Sequence, residues 1–197
     1  MFKSLKRLLM KNILNLLIVT ICLHGLTAAS YKSGYYYTKE GVKTEGLIEF
    51  HRATFSVFGS KKSHISFKEN EDAKAVKLNA DDIPCFVIGN DSFAIVYDIQ
   101  INSISGKYAK DFAKVLLKGK MNLYMHMSSS SDGRSNYEND RYVLSKDGKK
   151  FLGIWNPKDQ RNEIADLFSD SPDIQSRIRN KEFDKKIYEL VIAYNGN

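Results

Sequence analysis

Apolar and polar positions alternate in short runs between residues 35 and 155, the period of half-buried strands. Residues 92–101 are the clearest run, with Phe93, Ile95, Tyr97, Ile99 and Ile101 on one face of an extended chain. Residues 35–38 and 45–50 flank a turn at Glu40-Gly41, and residues 63–68 alternate with Ile65 and Phe67 on one side. Residues 85–88 lead into 92–101 through Gly89-Asn90-Asp91, a hairpin-like link. Residues 142–144 and 151–154 likewise flank the turn signal Lys146-Asp147-Gly148-Lys149. The 11 Tyr and 11 Phe suit such strands.

Two segments break the alternation. Residues 128–140 are rich in Ser, Asn, Asp and Gly without apolar periodicity, which predicts a mobile loop. Residues 107–118 fit two patterns. On a helical wheel Tyr108, Phe112, Val115 and Leu116 oppose Lys107, Lys110, Lys114 and Lys118, with Gly119 as C-cap. The competing pattern is a hairpin of residues 112–117 and 121–127 that turns at Lys118-Gly119-Lys120.

After Asn156-Pro157 the period becomes helical. Ile164, Leu167 and Phe168 fit one helix, and Ser171-Pro172 opens a second that carries Ile174 and Ile178. Phe183, Ile187, Leu190, Val191 and Tyr194 predict a third. The expected fold class is α+β: an antiparallel β-sheet or β-roll of about eight strands, then a C-terminal three-helix segment packed on it. The expected organisation is a signal peptide over 1–29, a β-rich body over 30–156 and helices over 157–197 in the same compact domain.

The start of the chain carries the signal expectation. A basic opening with Lys3, Lys6, Arg7 and Lys11 precedes an apolar stretch from Ile13 to Leu26 and the small residues Thr27-Ala28-Ala29. Cleavage after Ala29 is expected. The rivals are retention as an anchor, for which the stretch is short and holds Asn15, Thr20 and His24, and lipidation at Cys22, for which Ile21 is too bulky. Losing four cations and no acids lowers the net charge from +7 to +3. The basic balance therefore gives little support to nucleic-acid binding, and Lys107, Lys110, Lys114, Lys118 and Lys120 form the only candidate stripe. A single remaining cysteine, Cys85, makes no internal disulfide, and a buried inert thiol is the favoured reading.

Candidate chemistry is thin. Met121, Met125, His126 and Met127 suggest soft metal ligands, but strand alternation sends His126 to the side opposite the methionines, so core packing is favoured. His51 and His64 stand at no recognised ligand spacing. Asp81-Asp82 reads as turn chemistry, and Asp170 and Asp173 flank a helix start. No nucleophile elbow, phosphate loop or zinc signature appears. No catalytic, cofactor-binding or metal residue is assigned, and no cofactor is expected. A transmembrane barrel is disfavoured, because only residues 92–101 reach the necessary strand length.

Several segments, in order, resemble an uncharacterised family of exported proteins abundant in Bacteroidota. They are Gly34-Tyr35-Tyr36 with Gly46-Leu47-Ile48, residues 112–124, Arg141-Tyr142-Val143-Leu144, Leu167 through Pro172, Ile178-Arg179-Asn180 and residues 190–195. The resemblance implies a signal peptide, a mainly β body with a helical tail, and an envelope location, and it favours the hairpin over the helix at 107–118. Family members often carry cysteine where this chain has Ser171; if that cysteine is paired in them, Cys85 is left unpaired here. The functional expectation is a non-enzymatic exported binding or accessory protein, periplasmic or outer-membrane-associated and not an integral membrane protein after cleavage. Its partner would be an envelope or outer-membrane protein, not nucleic acid. The alternative is a periplasmic small-ligand carrier or hydrolase with a site between sheet and helices.

Overall fold

A computed structural model describes residues 31–56, 59–100, 107–131 and 135–196. The signal expectation and Ile101 fall outside these residues. From Lys32 onward the chain forms one compact unit. Its first strands are β1 (Lys32–Tyr37) and β2 (Lys43–His51), joined through a turn where Gly41 has φ +83°. Then come β3 (Ala53–Ser56), β4 (Gly59–Lys61), β5 (His64–Lys68) and β6 (Val76–Asn79). The middle strands are β7 (Cys85–Ile88), β8 (Asp91–Gln100), β9 (Lys107–Leu117) and β10 (Asn122–His126). Short strands β11 (Ser128–Ser131), β12 (Asn136–Glu138), β13 (Arg141–Ser145) and β14 (Leu152–Ile154) follow. The helices are α1 (Arg161–Leu167), α2 (Pro172–Arg179) and α3 (Ile187–Asn195).

The α+β class and the three closing helices stand, but the described residues hold fourteen strands instead of about eight. Ten of them form one antiparallel sheet in the order β14-β13-β10-β9-β8-β7-β1-β2-β5-β6, and four form a second in the order β12-β11-β3-β4. Most of residues 128–140, expected as a loop, belong to that second sheet: β11 pairs in parallel with β3 and antiparallel with β12. Backbone hydrogen bonds need no apolar side chains, so the serine run pairs without any hydrophobic period to announce it.

Residues 107–117 are strand β9, and with β10 they make the hairpin. Asn195, at the end of α3, clasps its turn. The Asn195 side-chain amide donates to the Met121 carbonyl (3.0 Å), and the Met121 N–H donates back to Asn195 Oδ1 (2.9 Å). A Cβ on Gly119 would fall 2.6 Å from that side chain, which explains a residue without one.

Three apolar clusters hold the unit together. Phe93 and Ile95 leave one side of β8 to join Phe86, Phe112, Ile48 and Ile65. Ala94 and Val96 leave the other side and join Ala113, Tyr124 and Val143. The central strands are thus buried on both faces. Tyr97, expected on the buried stripe, is 40% exposed; Asp98 beside it has φ +50°, and Ile99 beyond joins the cluster of Val96. Strand β14 backs onto β8 so closely that a Cβ on Gly153 would sit 2.3 Å from the Gln100 carbonyl oxygen.

The third cluster seats the helices on β10 and β13. Met121, Leu123 and Leu144 meet Ile164, Phe168, Ile174, Ile178, Leu190 and Val191. Phe183 precedes α3 in a turn yet packs in the same cluster, so the spacing held while the helix began later. Pro172 takes the first helical position of α2, as its sequence suggested.

Candidate functional site

Strand parity decides what reaches the surface of β1. Tyr36 points inward and meets Phe67 edge-on at 4.9 Å. Its neighbours Tyr35 and Tyr37 point outward and meet each other edge-on at 5.7 Å. Tyr35 stands directly across from Glu45 on β2 and Val87 on β7, and these three make a row on the outer face. Alongside that row lies an open groove of about 560 Å³, lined by Ser33, Gly34, Tyr35, Glu45, Glu69 and Val87 among others.

Two glycines pass beneath it, and their missing side chains leave room on the inner face for Ile48 and Phe67. Gly34 and Gly46 are paired positions on β1 and β2. A Cβ on Gly34 would sit 2.3 Å from the Val87 carbonyl oxygen, and one on Gly46 equally close to that of Lys68. Only residues without a side chain let the strands approach this way.

One cation is already placed on this face. The Lys43 ammonium lies 4.2 Å from the Tyr35 ring centroid and 2.5 Å from Glu45 Oε1. The hydrogen bond from Lys43 holds the Glu45 carboxyl below its usual range and raises the Lys43 amine in return. Glu69 stands on the groove wall.

A second constellation is internal. Asp111 on β9, His126 on β10 and Ser63 before β5 are all fully buried. Asp111 Oδ1 accepts from the Ser63 N–H (3.0 Å), the Ser63 hydroxyl (2.5 Å) and the Phe112 N–H (2.9 Å). Asp111 Oδ2 accepts from His126 Nε2 at 2.9 Å. The residue types are those of a hydrolytic triad, but here the serine bonds the carboxylate instead of the imidazole. A base must face the hydroxyl it activates, so this order does not prepare a nucleophile. It pins the segment before β5 to β9 and β10. The ring centroid of Tyr108 lies 4.9 Å from that of His126, and burial, with Asp111 adding to it, pushes the Tyr108 phenol up to about 12.

The structure separates the candidates named from sequence. His51 and His64 are cross-strand partners, their rings stacked 4.5 Å apart, with His51 Nε2 2.8 Å from Ser66 Oγ. Met121 is fully buried in the helix-facing cluster, while His126 is bonded to Asp111. Asp82 accepts from the Asn79 N–H at 2.8 Å, and Asp81 pairs with Lys62 and Lys110. The lysine stripe dissolves on a strand: Lys107 pairs with Asp98, Lys110 with Asp81 and Lys114 with Asp91. Cys85 is half-buried, and burial pushes its thiol up. Asp170 accepts from Lys146 and Tyr194, whereas Asp173 faces Arg177 within α2.

Among the described residues no three His, Cys, Asp or Glu side chains are grouped to hold a metal ion, and no helix is long and apolar enough to cross a membrane. Sequence reasoning missed the Asp111–Ser63 link, which joins residues 48 positions apart, and it missed the groove. Comparison with family models, curated proteins and solved structures finds no match.

Proposed function

We propose that this chain is an exported, non-enzymatic binding or accessory protein of the cell envelope, and that it binds through the groove on the outer face of β1, β2 and β7. The observation that carries the reading is the groove itself, where an outward tyrosine and two carboxylates share one surface. Specific sites combine a shaped surface with a few placed polar groups. The opening of the chain, with its basic residues, apolar stretch and small-residue exit, supports export. The partner expected is an envelope or outer-membrane protein.

The alternative, a small-ligand carrier or hydrolase with a site between sheet and helices, finds less support. Between sheet and helices the space is occupied by apolar side chains, with Met121, Leu123 and Leu144 packed directly against Ile164, Phe168, Leu190 and Val191. Cell fractionation with N-terminal sequencing tests the export half of the proposal. A mature chain starting at Ser30 in the envelope or periplasm agrees with it; an intact N-terminus in the cytosol overturns it. Crosslinked recovery of the tagged protein from envelope fractions tests the accessory half. A reproducible membrane-protein partner supports that role, and recovery of the protein alone moves weight to the carrier or hydrolase.

A further inference from the structure

We propose that the Asn195-Gly196 step at the end of α3 is a deamidation site guarded by the fold, and that its conversion permanently opens the joint between α3 and the β9–β10 turn. It is the only Asn-Gly step in the sequence. Glycine has no side chain to shield its backbone nitrogen, so that nitrogen reaches the preceding side-chain carbonyl most readily at such a step. In the reaction the Gly196 nitrogen bonds to Asn195 Cγ, the Cγ–Nδ2 bond breaks, and ammonia leaves with the Gly196 amide proton. Water then opens the resulting imide. Opening at Cγ gives aspartate in an ordinary peptide; opening at the main-chain carbonyl gives isoaspartate, with the chain routed through the side chain.

The structure ties down both reacting groups. The Gly196 N–H donates to the Ile192 carbonyl at 3.0 Å, which keeps the nucleophile in the last helical turn. The Asn195 amide is held from two sides: Oδ1 accepts from the Met121 N–H at 2.9 Å, and Nδ2 donates to the Met121 carbonyl at 3.0 Å. Attack requires Asn195 to release Met121 and turn its side chain back on Gly196. Gly196 is exposed, so water is at hand once it does. After conversion the clasp does not close again. A carboxylate offers no donor, so an oxygen faces the Met121 carbonyl where an N–H stood. One hydrogen bond is lost and two acceptors are opposed, at the point where α3 is fastened to the turn.

The test follows amide-to-acid conversion at Asn195 by peptide mapping and mass spectrometry, with the chain kept in mildly alkaline buffer with and without urea. Two net hydrogen bonds protect by about fivefold to 150-fold, so conversion should be slower by that factor in the folded chain. Gly119→Ala sets a Cβ 2.6 Å from the Asn195 side chain, displaces the clasp, and should bring the folded rate close to the urea rate. Adding Gly196→Ala should abolish that acceleration. It keeps the helix end, since Gly196 has φ −86° and a Cβ there would lie 3.4 Å from the Ile192 carbonyl oxygen. Asn195→Asp should shift the amides of residues 119–121 and leave those of β1 and β2 in place, which reports an intact fold. Equal rates with and without urea, or a folded rate that Gly119→Ala leaves unchanged, would overturn the guard. Absence of conversion even in urea would overturn the site. An Asn195→Asp chain whose 119–121 amides match the parent's would overturn the opening of the joint.

Discussion

Removing the Asp111 carboxylate should loosen the whole β unit, because four donors end on it inside the protein. In Asp111→Ala the Ser63 N–H, the Ser63 hydroxyl and His126 Nε2 lose their acceptor together, the Phe112 N–H keeps only a long bond to Ser63 Oγ (3.4 Å), and all lie in the buried interior. An orphaned buried donor costs about 1–3 kcal/mol, and the loss should be about 3–5 kcal/mol in total, since the hydroxyl and imidazole reorient in part. Domains of this kind hold about 5–15 kcal/mol, so the variant should fold but melt early. At about 2–4 °C per kcal/mol, the midpoint falls by about 6–20 °C. Asp111→Asn separates shape from charge. Its Oδ1 still accepts the three donors, but its amide can satisfy Nε2 only if the His126 proton moves to Nδ1, a buried atom with no partner. It should therefore cost less than alanine, about 1–3 kcal/mol. Urea unfolding with thermal melts measures both. A loss under 1 kcal/mol for Asp111→Ala, or an asparagine variant worse than alanine, would refute the argument.

Three further outcomes are expected. Burial, with Lys77 and His51 adding to it, holds His64 below its ordinary 6.5. The unfolded chain then binds the extra proton, so stability is full above about pH 6.5 and falls as pH drops through that value. His64→Asn should flatten this slope in pH-dependent melts, and an unchanged slope would count against it. Asp170 titrates at about 2, held down first by Lys146 and then by Tyr194, so its contribution is present above its ordinary 3.8 and is lost as pH falls towards 2. Tyr194→Phe should raise the Asp170 midpoint in an NMR titration; no movement would mean that Lys146 alone sets it. Gly153→Ala forces a methyl against the Gln100 carbonyl and should destabilise by about 1–3 kcal/mol in urea unfolding, whereas a neutral result would show that β14 can slide off β8.

How far the sequence reaches depends on what each element uses to hold itself. The helices were readable because each buries one stripe: Ile174 and Ile178 repeat at four, and Ile187, Leu190, Val191 and Tyr194 repeat with the helical period. Strand β9 was ambiguous for a physical reason. Tyr108, Asp111, Phe112 and Ala113 are all buried, so a strand covered on both faces loses its alternation and mimics a helical face. Strands β4, β11 and β12 are three or four residues long and mostly polar, resting on backbone pairing, so their sequences carry no period to detect. The Asp111 cluster and the groove are products of tertiary approach. Nothing near Ser63 in sequence announces a carboxylate 48 positions away. Tyr35, by contrast, lay in a strand its aromatic sequence announced, although Glu69 comes beside it only once β1, β2 and β5 are assembled.

The most direct test of the central claim is photocrosslinking in intact cells, with the photoreactive residue placed in the groove at position 87 or, as control, at position 192 on α3, which packs at the other end of the sheet. Position 192 is well exposed, so it too meets solvent and any non-specific neighbours. The account predicts a discrete adduct with an envelope component from position 87 that fades when Glu69→Gln is added, and no such adduct from position 192. Equal labelling from both positions, or adducts confined to cytosolic proteins, would contradict it.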